Sequence, residues 1–144
     1  MASILSSISY AQRMIEPPLR HHTVAAREFI STRLGLRDDP GMQDWEFEVA
    51  EVSGLPEYLA LFEKVAGQKD VRFTLADMII QAFEETGTDL ASDPQWVAFL
   101  GSLADDVEIH GSQIWYWASW DVPLNEAWSV APFMRTLCKV HFAG

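Results

Sequence analysis

Residues 74–87, TLADMIIQAFEETG, carry the clearest helical pattern in this chain of 144 residues. The apolar residues of the stretch recur at spacings of three and four, which places them on one helix face: Leu75, Met78, Ile79, Ala82 and Phe83. The Thr74 hydroxyl is a suitable N-cap, and Asp77 suits the positive end of the helix dipole. The pattern therefore predicts a helix from Thr74 to a stop at Gly87.

Outside this stretch, further start signals predict a mostly helical chain. Thr23 is a suitable N-cap for a helix that ends near Leu34, and Pro56 suits a first helical turn. The pair Asp93-Pro94 combines a cap with a proline at the first helical position. Pro132 predicts the start of a last helix that runs to the C-terminus. Residues 1–16 predict an amphipathic N-terminal helix from the spacing of four apolar residues: Ile4, Ile8, Ala11 and Ile15.

Two segments favour strands instead. Trp45, Phe47 and Val49 alternate with polar or small residues, the period-2 pattern of a strand with one buried face. Residues 107–120 are ambiguous between strand and helix, and Gly111 is expected to divide two elements there. The predicted fold is α+β, one compact domain over residues 1–144 with five or six helices and a small sheet, and the alternative is an all-α fold.

Charge is distributed unevenly along the chain. The net charge is −11. Residues 73–134 contain no Lys or Arg, yet they hold ten carboxylates and five of the six tryptophans. Such a field repels nucleic-acid phosphates and anionic lipid headgroups and attracts basic proteins. We therefore expect neither a nucleic-acid partner nor a membrane partner.

The acidic, aromatic half predicts a partner-binding surface. Trp and Tyr are common interface anchors, and carboxylates around them can pair with Lys or Arg of a basic protein. The predicted contact residues are Asp105, Asp106, Glu108, Trp115, Trp117, Trp120, Asp121, Glu126 and Trp128, with Tyr116 beside them. Because most tryptophans of a small domain are core residues, we expect two or three of the five tryptophans in residues 73–134 to be buried.

Catalytic and metal-binding signatures are weak. If residues 106–110 are extended, Asp106, Glu108 and His110 share one face and form a candidate metal site. His21 and His22 are adjacent in sequence, and we interpret them as an exposed turn. Cys138 lies in an apolar helical stripe and is interpreted as a buried structural thiol. The sequence thus predicts no cofactor and no enzymatic activity.

The whole profile, a small acidic domain that carries tryptophans and lacks a catalytic motif, resembles that of bacterial immunity proteins, which neutralise toxins. The resemblance implies an acidic face that covers the basic surface of a toxin or effector. The single cysteine favours a reducing, cytoplasmic compartment, and the protein is expected to be a monomer or a homodimer. No positions are carried over from that class. The alternatives are a secretion chaperone, a nucleic-acid-mimic inhibitor and a small metal-binding enzyme.

Overall fold

A computed structural model describes residues 14–144. The predicted helix over residues 1–16 falls almost entirely outside this range, and so do Ile4, Ile8 and Ala11. Seven α-helices lie in the described part of the chain: α1 (Val24–Leu34), α2 (Trp45–Glu48), α3 (Leu55–Lys64), α4 (Lys69–Glu85), α5 (Pro94–Asp105), α6 (Val107–Trp117) and α7 (Ala131–His141). Single 3₁₀ turns occupy Val52–Gly54, Leu90–Ser92 and Leu124–Glu126.

The fold is all-α, so the prediction of an α+β domain with a small sheet was wrong. The only β-type pairing among residues 14–144 is an isolated antiparallel bridge between Met14 and Ala143. Within the same range, no helix is both long enough and apolar enough to cross a bilayer.

The strand predicted at residues 45–49 is the short helix α2 followed by a turn. Its buried residues are Trp45, Glu46, Val49 and Ala50. These positions follow the i, i+1, i+4, i+5 spacing of a helix face, not the alternation of a strand. A segment of five residues fits both periods, because positions i and i+4 share a face in either structure.

Residues 107–117 form one continuous helix, α6, and Gly111 lies inside it rather than between two elements. A Cβ atom at Gly111 would stand 3.0 Å from the Cβ atom of Pro17. The glycine therefore permits close approach of residues 14–20, the N-terminal arm. Two hydrogen bonds hold this arm, from the Ile15 amide to the Phe142 carbonyl (2.8 Å) and from the Arg20 amide to the Ser112 hydroxyl (3.2 Å).

Helix α4 begins at Lys69, five residues before the predicted start. All ten residues from Val71 to Ile80 are buried. The helix packs against α1, α2 and α3. Polar residues before Phe73 hid the first turns from the apolar pattern, and Thr74 and Asp77 therefore lie in the helix interior, away from its N-terminus.

The other start signals are confirmed. The Thr23 hydroxyl accepts a hydrogen bond from the Ala26 amide (3.1 Å) at the start of α1. Asp93 caps α5 by accepting from the amide of Gln95 (2.9 Å). Prolines occupy the first turns of α3, α5 and α7, where the missing amide proton leaves no helical hydrogen bond unmade.

Two compact units make up the chain. We call residues 21–87 the N-terminal unit, and its core surrounds α4. We call residues 88–144 together with the arm 14–20 the C-terminal unit, in which α6 packs against α5 and α7. The prediction of a single domain stays a prediction.

Candidate functional site

Four polar side chains converge inside the N-terminal unit, and we call them the His22 cluster: His22, Glu46, Thr74 and Asp77. His22 directly precedes the cap of α1, and Glu46 lies on α2. Thr74 and Asp77 are three residues apart on α4, and so they project from the same helix face. The cluster thereby joins α2, α4 and the residues that precede α1 through polar groups.

The imidazole of His22 is at the centre of the cluster. Its Nε2 atom lies 2.9 Å from Asp77 Oδ2 and 3.2 Å from Glu46 Oε1. On the other side of the ring, Nδ1 lies 2.8 Å from the Thr74 hydroxyl. The ring also packs on Phe73, with 4.8 Å between centroids.

Burial and charge act in opposite directions on the imidazole. Burial disfavours the charged ring, but the hydrogen bond to Asp77 and the charges of Asp77 and Glu46 outweigh it, so the pKa of His22 is raised. Burial also raises the pKa of Glu46, although its own backbone amide and the charge of His22 oppose that effect. The two carboxylates thus favour the protonated form of the His22 imidazole.

The sequence prediction did not find the His22 cluster. The prediction treated His22 as part of an exposed turn, placed Glu46 on the solvent face of a strand and assigned Asp77 to a helix start. One sequence signal could have indicated the cluster. Thr74 and Asp77 are the two polar residues of the apolar stretch 73–80, and their spacing places them on a common helix face.

The candidate metal ligands Asp106, Glu108 and His110 depended on an extended backbone. The backbone there is helical, and in α6 successive residues are about 100° apart around the axis, which turns Glu108 away from His110. Glu108 is exposed, whereas His110 is fully buried and its Nδ1 atom is hydrogen-bonded to Gln113 Oε1. The structure does not bring these three residues together on one face.

The residues of the predicted contact surface lie partly on the exterior of the C-terminal unit and partly in its core. The exposed aromatic residues of this predicted surface are Tyr116 and Trp128, which we call the aromatic pair. Tyr116 is 55% exposed and Trp128 is 38% exposed. Their ring centroids are 5.4 Å apart, and both rings contact Trp117, which is only 2% exposed. The buried Trp117 ring therefore fixes two solvent-facing rings in place.

Trp117 and Trp120 of the predicted contact set are buried in the core. Trp96 is buried as well, which confirms the expectation that two or three of the five tryptophans are internal. Trp115 is half-buried and packs against Trp120, with 6.1 Å between centroids. The exposed carboxylates of the predicted set are Asp105, Glu108, Asp121 and Glu126, and Asp106 is half-buried.

Arg135 of α7 is buried and contacts residues 118–122, which follow α6. Its guanidinium donates hydrogen bonds to three backbone carbonyls, those of Ala118 (2.7 Å), Ser119 (2.7 Å) and Val122 (2.8 Å). The guanidinium carbon also lies 4.9 Å from the ring centroid of Trp120. Arg135 therefore holds the turn that follows α6.

Cys138 lies on the same helix and is fully buried, as predicted. Burial raises the pKa of its thiol to about 12, despite opposing effects of Trp120 and Arg135. The thiolate form needed for nucleophilic or redox chemistry is therefore rare at neutral pH.

Comparisons with protein-family models, with curated proteins and with solved structures found no match to this chain. Its function is therefore inferred from its own residues.

Proposed function

We propose that this protein is a non-catalytic binding module that covers a basic protein partner with the acidic, aromatic surface of its C-terminal unit. The proposed role is that of a cytoplasmic immunity protein that neutralises a toxin. The observation that carries the proposal is the aromatic pair, two exposed rings held by a buried third ring.

Aromatic side chains that are already fixed suit tight binding. Ordering a side chain at an interface costs about 0.5–1.5 kcal/mol, and contacts with Trp117 reduce the freedom that Tyr116 and Trp128 have to lose. Their exposed faces can receive a guanidinium or an ammonium group by cation–π attraction. Anchors of this type are typical of residues that dominate interface energies.

The surrounding charge favours a basic partner. Glu126 lies two residues before Trp128, and Asp121 lies in the turn that Arg135 holds. Asp105 and Glu108 are exposed at the junction of α5 and α6. These carboxylates would steer a basic protein towards the surface and speed association at low ionic strength. A toxin inhibitor is expected to combine carboxylates with exposed aromatic anchors, whereas a nucleic-acid mimic is expected to carry evenly spaced acids.

The experiment compares two triple charge reversals in a binding assay. A basic partner is first isolated by pulldown from the source cell's lysate at low salt, and its association and dissociation rates are then measured. The test variant is Asp105→Lys, Glu108→Lys, Asp121→Lys. The matched control is Glu51→Lys, Glu57→Lys, Glu63→Lys, which changes the charge equally at exposed positions of the N-terminal unit.

We expect the test variant to associate at least about 10-fold more slowly than the control and to lose most of its salt dependence. Trp128→Ala should instead accelerate dissociation about 30-fold or more, the effect of removing an anchor worth about 2 kcal/mol. Equal rates for the two triple variants, or unchanged dissociation of Trp128→Ala, would refute the proposal. So would failure of the partner to be toxic, or of this protein to suppress that toxicity.

A further inference from the structure

We propose that the His22 cluster is a binding site for one first-row divalent transition-metal ion, with Zn²⁺ as the probe. The ligands are His22 Nε2 and one carboxylate oxygen each from Glu46 and Asp77. The site belongs to the N-terminal unit and does not depend on the binding surface proposed above.

The first support is the separation of the ligand atoms. The three atoms lie within 4.8 Å of one another, and Nε2 is 2.9 Å and 3.2 Å from the two carboxylate oxygens. Zinc bonds of about 2.0–2.1 Å place neighbouring ligand atoms about 2.9–3.4 Å apart, for octahedral and tetrahedral geometry respectively. Both distances from the imidazole therefore lie in the range expected between two ligands of one zinc ion.

The second support is the orientation of the imidazole. The hydrogen bond at Nδ1 to the Thr74 hydroxyl turns Nε2 towards the carboxylates. A neutral ring that donates its Nδ1 proton to Thr74 points the lone pair of Nε2 at two carboxylate oxygens. A cation bound there would relieve the repulsion between this lone pair and the carboxylates, whereas the tautomer that carries its proton on Nε2 donates to a carboxylate and needs none. Metal-binding histidines commonly use their second nitrogen in this way, which fixes both the tautomer and the ring orientation.

Charge balance also favours a divalent ion. The side chains of Glu46 and Asp77 are only 11% and 6% exposed. With a protonated imidazole, the three side chains His22, Glu46 and Asp77 together carry a net charge of −1. A divalent cation bound by a neutral imidazole brings this sum to zero, which reduces the cost of burying the carboxylates.

The ligand types select among cations. A nitrogen ligand beside two carboxylates suits Zn²⁺, Mn²⁺ or Fe²⁺, whereas Ca²⁺ and Mg²⁺ prefer oxygen ligands alone. The His22 side chain is partly exposed, so an ion can reach the cluster from solvent. The remaining coordination positions would be filled by water or by an oxygen of the cluster.

Isothermal titration calorimetry of the untagged, chelator-treated chain with ZnCl₂ tests the site. We expect one Zn²⁺ per chain, and no comparable binding of MgCl₂. His22→Gln and Glu46→Gln should each weaken Zn²⁺ binding more than about 100-fold. Thr74→Val should weaken it about 10- to 100-fold, the usual effect of losing an orienting hydrogen bond to a ligand.

Two neighbours provide matched controls, because His21 and Glu48 are exposed residues next to the proposed ligands in sequence. His21→Gln and Glu48→Gln should leave Zn²⁺ affinity unchanged. Circular dichroism establishes whether each variant is folded, and Glu46→Gln, which keeps the side-chain volume, serves if another variant unfolds. As a second readout, the visible absorption of bound Co²⁺ should appear with the parent chain and disappear with Glu46→Gln.

A folded parent chain that takes up no Zn²⁺ would overturn the proposal and leave a protonated imidazole as the cation of the cluster. Binding lost in His21→Gln but retained in His22→Gln would overturn it as well. Neither result bears on the partner-binding surface, whose variants lie in the C-terminal unit.

Discussion

Replacement of Arg135 by Met tests how the surface of the C-terminal unit is supported. Met keeps most of the aliphatic volume over Trp120 and removes the guanidinium. The substitution removes the hydrogen bonds that the guanidinium donates to the carbonyls of Ala118, Ser119 and Val122. The substitution thus isolates the polar role of Arg135 from its packing role.

The expected loss of stability follows from the surroundings of the three acceptors. Ala118 and Ser119 are buried, so their carbonyls would lose their charged donor without easy access to water, at about 1–3 kcal/mol each. Val122 is partly exposed, so water can replace the guanidinium there at smaller cost. Ser119 has a φ of +53°, in the left-handed region, and depends on its surroundings to stay there. We expect Arg135→Met to lower the free energy of unfolding by about 3–5 kcal/mol.

Urea unfolding followed by circular dichroism measures this loss. The matched control is Lys139→Met, which removes an exposed cation from the same helix and should cost less than about 1 kcal/mol. Arg135→Lys should recover only a part, because an ammonium group lacks the planar fork that serves several carbonyls at once. A loss below about 1 kcal/mol for Arg135→Met would show that the turn after α6 does not depend on the guanidinium.

Two further predictions concern packing and reactivity. Gly54→Ala should lower the free energy of unfolding by about 1–3 kcal/mol, because the added Cβ would stand 2.4 Å from the buried ring of Tyr58. Gly101→Ala, in open space on α5, should raise it by about 0.5–1 kcal/mol, and thermal unfolding of both variants checks the difference in sign. At pH 8, a thiol pKa of about 12 should make Cys138 react with Ellman's reagent about 1000-fold more slowly in the folded protein than in urea. Rapid labelling of the folded chain would contradict the burial of Cys138.

Helix starts were predictable where the signal is local. A cap such as Thr23 or Asp93 accepts a hydrogen bond from an amide two or three residues away, so both partners of the interaction are close together in sequence. Prolines in first turns are local signals of the same kind. These parts of the fold were read correctly for that reason.

The strand prediction at residues 45–49 failed because the deciding interaction is remote. Glu46 is buried, which a polar residue in an alternating pattern is not expected to be. Its partner His22 precedes it by 24 residues, at the entrance to α1. Once a buried partner is available, a glutamate can occupy an inward position of a helix, and the hydrophobic pattern no longer reports which residues face the core.

The His22 cluster was missed because one spacing has two meanings. A Thr followed three residues later by an acid is a common N-terminal helix signal, and the same spacing places two side chains on one helix face. Thr74 and Asp77 share a helix face and do not cap the helix, because α4 begins earlier, at Lys69. Only the tertiary packing of α1 and α2 onto α4 distinguishes the two.

Burial also determines which charged side chains of the sequence are exposed to a partner. Residues 88–144 contain seven carboxylates against two cations, Arg135 and Lys139. Arg135 is buried among backbone carbonyls, whereas Lys139 is exposed. In the N-terminal unit the buried charges are instead carboxylates, because Glu46 and Asp77 face His22 inside the core. At the exposed positions of residues 88–144, the ratio of carboxylates to cations is therefore higher than in the sequence of that range. For this reason, reversing its carboxylates should slow association with a basic partner more than an equal reversal in the N-terminal unit.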